Sequence, residues 1–117
     1  MGLTVGSLRN DDVLRIALGA GDTGSGPVQL HGELCAGTVD LLDDALTALV
    51  EEGAVTVVVD LEGLRICTSH GFDLFDRVHA RLVSRGGSLL LTRARGAVAR
   101  TLDIVRSADP PFLPPEV

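Results

Sequence analysis

The residues best placed to do chemistry lie in one short turn, Thr68-Ser69-His70-Gly71. An apolar, strand-like segment runs into it, and Phe72, Phe75, Val78 and Leu82 leave it at helical spacing. The Ser69 hydroxyl is therefore expected beside a helix N-terminus, where unpaired backbone N–H groups favour negative charge. Two readings follow. Ser69 either caps the helix or accepts a phosphoryl group, which would add about −1.5 to −2 charges at the surface. Cys67-Thr68-Ser69-His70-Gly71 also half-matches the nucleophile elbow G-x-S-x-G, with Cys67 at the first glycine. A short chain leaves little room for that fold's larger sheet and remote histidine, so a small hydrolase is a minor alternative. So is a zinc protein using His31, Cys35, Cys67 and His70, since two Cys and two His make an acceptable zinc set.

The elements that position this turn can be read from periodicity. Val13 to Leu18 and Val28 to Leu34 read as strands, and the glycine-rich stretch Gly19 to Pro27 between them reads as a hairpin loop. No helix follows that stretch directly, which argues against a phosphate cradle. Thr38 is a candidate N-cap for a helix carrying Val39, Leu42, Ala45, Leu46 and Leu49 and stopped by Gly53. Val55 to Val59 is a β-branched run expected to form an interior strand buried on both faces. After the helix that begins near Ser69, with Asp73 and Arg77 spaced to pair, Ser88 to Thr92 forms a short strand and Ala97 to Val105 a third helix. Leu3 to Val5 is a β-prone patch, Arg9 to Asp12 a polar turn, and Asp109 to Pro115 an extended tail. Crossovers through helices make the later strands parallel, while the first two form an antiparallel hairpin. The expectation is one α/β domain over 13–108, with a mixed sheet of four to five strands and helices mainly on one side. Residues 1–12 would be an extension or extra strand, and 109–117 a Pro-rich tail.

Composition narrows the function. Net charge is −6, and aromatics are limited to three Phe, with no Trp or Tyr. Neither nucleic acid nor an anionic membrane is an expected partner. All ten basic residues are Arg, which removes lysine-dependent chemistry such as a P-loop or a Schiff base. No apolar run reaches the roughly 18 residues of a membrane span, and the N-terminus lacks the marks of a secretory signal. Two cysteines without a signal read as reduced thiols in the cytoplasm. Acidic residues Asp40, Asp43, Asp44, Glu51 and Glu52 read as a solvated helix face or, alternatively, an acidic recognition surface. Arg93, Arg95 and Arg100 cluster near the start of the third helix, as solubilising charges or a contact for an acidic partner.

From Val13 to Ile104 the chain resembles STAS domains of the anti-sigma-factor-antagonist type. The resemblance rests on Leu30-His31-Gly32-Glu33-Leu34 with Thr38 following, on Val57-Val58-Val59-Asp60-Leu61-Glu62-Gly63-Leu64, and on Ser69-His70-Gly71-Phe72. Gly86-Gly87-Ser88-Leu89-Leu90-Leu91 and Ala97-Val98-Ala99-Arg100-Thr101-Leu102 complete it. It implies a binding module, not an enzyme, that takes no cofactor. Such a module binds an anti-sigma factor that is itself a serine kinase, loses it on phosphorylation, and is restored by a serine phosphatase. By position Ser69 matches the phosphorylated serine, with Thr68 the less favoured acceptor. Cys35, Thr38, Thr68, Ser69, His70, Gly71, Phe72 and Asp73 make up the implied partner surface. Cys35 and Thr68 stand where the family commonly carries acidic residues. A STAS scaffold or subunit of a signalling or transporter complex, not phosphorylated, is the alternative.

Overall fold

The computed structural model describes residues 8–10, 13–18 and 25–106. The patch Leu3 to Val5, most of the glycine-rich loop and the Pro-rich tail lie outside them. Eight elements follow in order: β1 (Leu8–Asn10), β2 (Leu14–Leu18), β3 (Ser25–Leu34), α1 (Val39–Glu51), β4 (Thr56–Cys67), α2 (Ser69–Val83), β5 (Ser88–Thr92) and α3 (Gly96–Arg106). The strands form one mixed sheet in the order β1-β2-β3-β4-β5. β1, β2 and β3 pair antiparallel, while β3–β4 and β4–β5 pair parallel, as helical crossovers require.

Register aligns the apolar residues across the sheet. Leu18 opposes Val28, Val28 opposes Val59, and Val59 opposes Leu91, so one row of buried side chains crosses four strands. This face packs with Leu42, Ala45, Leu46 and Val50 of α1 and with Phe72, Leu74, Phe75, Val78 and Leu82 of α2 in a single core. The core is aliphatic apart from Cys67 and from Phe72 and Phe75, whose rings meet edge to face with centroids 6.4 Å apart. Gly32 is needed where β3 meets β2. Its φ is +110°, and a Cβ there would run into the Val13 carbonyl.

Three expectations are corrected. The Val55–Val59 segment is interior to the sheet, but it is not buried on both faces. Val57 and Val59 are fully buried beneath the helices, whereas Thr56 and Val58 on the other face are half-buried. β-branched content marks a central strand without saying how many layers cover it. Arg9 and Asn10, read as a polar turn, belong to β1, because an edge strand needs only backbone partners, here Ile16 and Arg15. Arg77 does not pair with Asp73 but reaches Asp43 of α1 at 3.9 Å.

The asymmetry of β4 gives a direct expectation. Val59→Asp should unfold the domain, since an unpaired buried charge costs more than about 4 kcal/mol. Val58→Asp should cost only about 1 kcal/mol, within the range of partly exposed sites. Urea denaturation of both variants checks this, and equal losses would contradict the one-sided packing.

Candidate functional site

The site is built where β3 and β4 end side by side. Leu34 pairs with Cys67, and the Thr68 N–H donates to the Leu34 carbonyl at 2.9 Å, so the loop after β3 and the turn after β4 adjoin. Ser69 is the first residue of α2, preceded by Thr68 in an extended conformation at φ −87°, ψ 176°. The Thr68 carbonyl accepts the Gly71 and Phe72 N–H groups at 3.0 and 3.3 Å. Among the described residues nothing accepts the Ser69 and His70 N–H groups. The Thr68 side chain does not cap the helix. Its hydroxyl lies 3.4 Å from His70 Nδ1.

Ser69 and His70 are both exposed, and the first turn of α2 carries no acidic side chain. Positive helix-end potential at an accessible hydroxyl, with no carboxylate in that turn to oppose it, suits added negative charge. The next residue is fixed by packing. A Cβ on Gly71 would sit 2.6 Å from Leu34 Cδ2 and 2.7 Å from Cys67 Sγ, so only glycine lets the helix start this close to the strand ends.

Thr38 stands at the N-cap position of α1 but its side chain makes no cap. It is 3% exposed and laces the preceding loop instead. Its hydroxyl donates to the Glu33 carbonyl at 2.9 Å and accepts the Cys35 N–H at 3.0 Å. This tie holds Cys35 half-buried beside the end of β3, its Sγ 3.7 Å from Thr38 Oγ1.

The expected partner surface thus divides. Ser69, His70 and Asp73 are exposed, and Cys35 and Thr68 are half-buried. Thr38, Gly71 and Phe72 are buried and can only position their neighbours. The four candidate metal ligands are dispersed in role. His31 is exposed on the strand face opposite the helices, with its ring against Gly63, and Cys67 is buried under Gly71. Burial pushes the Cys67 thiol up to about 12, which leaves it protonated and unreactive at neutral pH. Among the described residues no three His, Cys, Asp or Glu side chains gather to hold a metal. The His70 ring contacts Thr68, so the half-matched nucleophile elbow shows no serine–histidine hydrogen bond.

Sequence reasoning missed two features. Glu33 and Ile66 form the last cross-strand pair before the turn on the face away from the helices. Arg65 is bonded to Glu33 at 3.2 Å, and Ile66 remains 45% exposed. A register shift between Gly32 and Glu33 leaves both Arg65 and Ile66 outside the core, which strict alternation would not predict. The second is a charge network at the C-terminal end of β5. Arg93 donates to both Asp60 oxygens, at 3.2 and 2.6 Å, and lies 2.8 Å from Glu62, which also receives Arg95 at 2.8 Å. The Arg93 guanidinium holds the Asp60 carboxyl below the usual carboxylate range. Partial burial opposes this, and the Glu62 N–H supports it.

A mixed five-stranded sheet with this element order and its helices against one face is the architecture of the STAS class of α/β domain. The family profile for the STAS domain matches residues 21–110, and the chain belongs to that family. Its fold is similar to that of an anti-sigma factor antagonist from Mycobacterium paratuberculosis, with a TM-score of 0.73 and 23% identity, covering 93% of this chain and 90% of that one. It is also similar to the Bacillus cell fate determinant SpoIIAA in its phosphorylated form, with a TM-score of 0.65 and 18% identity over 87% of this chain and 91% of that one. A third similarity is to the murine anion transporter Slc26a9, with a TM-score of 0.59 and 11% identity, covering 85% of this chain but 17% of the transporter. No curated protein matches the chain in sequence. Among the described residues no helix is long and apolar enough to cross a membrane.

Proposed function

We propose that this chain is an anti-sigma factor antagonist, a cytoplasmic binding module without catalytic activity of its own. It binds an anti-sigma factor that is a serine kinase and thereby regulates transcription. Phosphorylation of Ser69 dissolves the complex, and a serine phosphatase restores it. The observation that carries the reading is the exposed Ser69 at the first position of α2 in a STAS domain. Its fold neighbours include an antagonist whose structure is known in unphosphorylated and phosphorylated forms. Phosphate at this position would meet the Ser69 and His70 N–H groups, so the modified state is accommodated by the helix while the outer surface turns negative.

Incubation with the cognate kinase and ATP, followed by peptide mapping, tests the modification. A single phosphate on Ser69, absent in Ser69→Ala, is the expected result. Phosphate on Thr68, or none, would remove the switch. One observation favours a second reading, a STAS scaffold or subunit without phosphorylation. Cys35 and Thr68 replace the acidic residues common around the switch serine, so contacts by which a kinase recognises the turn are altered.

A further inference from the structure

The three helices are held very unequally. α1 buries four side chains and α2 six residues, whereas among the described residues of α3 Val98 and Leu102 are buried, Val105 is half-buried against the same core, and Ile104 is 72% exposed. α3 packs principally against β4. So thin an apolar seam places a helix at the low-stability end of a domain.

The entry to α3 is also electrostatically unfavourable by itself. Arg93 and Arg95 immediately precede the helix, its first turn has no acidic residue, and the Arg95 carbonyl accepts the Ala99 N–H at 3.3 Å. Cations at a helix N-terminus oppose the macrodipole. The missing negative charge comes from another element, through Asp60 and Glu62 of β4. Arg93 moreover sits at φ +62°, a conformation that glycine or asparagine would take with less strain. A residue that pays for its backbone in this way must return the cost through its side chain. The guanidinium does so with a forked pair of bonds to Asp60 and a further contact to Glu62.

We infer that the network Asp60–Arg93–Glu62–Arg95 is a latch that seats the thinly packed α3 on β4, so that loosening it frees α3 before α1 or α2. Release would bare Val98, Leu102 and the part of β4 beneath them while the core of β2 to β5, α1 and α2 persists. The inference is independent of the reading of Ser69.

Hydrogen exchange of the full chain, followed by mass spectrometry, tests it, with peptides from α1 and α2 as internal references. Two perturbations are used. Raising NaCl from about 0.05 M to 1 M shortens the Debye length to about 3 Å and weakens the partly exposed pairs. Arg93→Gly removes the guanidinium while glycine accepts the positive φ, and Glu62→Gln removes one charge without changing shape. The expected result is that α3 amides exchange about fivefold to tenfold faster under each perturbation, with α1 and α2 unchanged. Unchanged α3 exchange, or acceleration of all three helices by one factor, would overturn the latch. Should a variant fail to fold, the salt comparison on the unaltered protein decides.

Discussion

Phe72→Ala should lower the stability of the domain by about 3–5 kcal/mol, a large part of the roughly 5–15 kcal/mol that a domain of this kind possesses. Phe72 is 1% exposed, meets Phe75 edge to face, and anchors the first turn of α2 within the core. Few aromatic neighbours exist to refill the space, because apart from Phe75 the remaining core is Leu, Val, Ile, Ala and Cys67. The loss should appear in urea denaturation as a lower midpoint with an unchanged slope. A variant as stable as the parent would mean that Phe72 lies on the surface, where a direct partner contact would place it.

Ser69→Asp should weaken binding of the cognate anti-sigma kinase by about tenfold to a hundredfold, while Ser69→Ala retains it. Ser69 is exposed and no acidic side chain occupies the first turn of α2, so the aspartate would add a second negative charge to a surface that already carries Asp73 one turn on. The helix end lowers the cost of that charge in the free protein, and burial against a partner raises it in the complex. On the proposed function, the difference between these two environments would turn a local modification into dissociation. Calorimetric titration of both variants reads it, and an aspartate variant binding as tightly as the alanine variant would contradict it.

Much of the fold was legible because burial imposes a period. Leu42, Ala45, Leu46 and Val50 recur on one helical face, and Val57, Val59, Leu89 and Leu91 alternate along strands. What was not legible depended on backbone pairing or on partners far along the chain. Arg9 and Asn10 pair with Ile16 and Arg15 through their main chains, and main-chain pairing leaves no period in the sequence. Arg77 finds Asp43 because α1 and α2 pack together, a contact that helical spacing alone cannot anticipate. The location of Ser69 followed from a strand handing over to a helix. The division of its neighbours did not. Phe72 looked presentable in sequence, yet the close approach permitted by Gly71 draws it inward. Likewise Thr38 has the chemistry of a cap, but its hydroxyl donates to the Glu33 carbonyl and its oxygen accepts the Cys35 N–H instead of an N–H of α1.

Titration of the anti-sigma kinase with unphosphorylated protein and with protein carrying phosphoserine at position 69, introduced during translation, tests the central claim most directly. The unphosphorylated chain should bind, and the phosphorylated chain should bind at least about a hundredfold more weakly, since a dianion exceeds the single charge of aspartate. Equal affinity of the two forms would contradict the switch and leave a STAS domain whose Ser69 begins a helix and does no more.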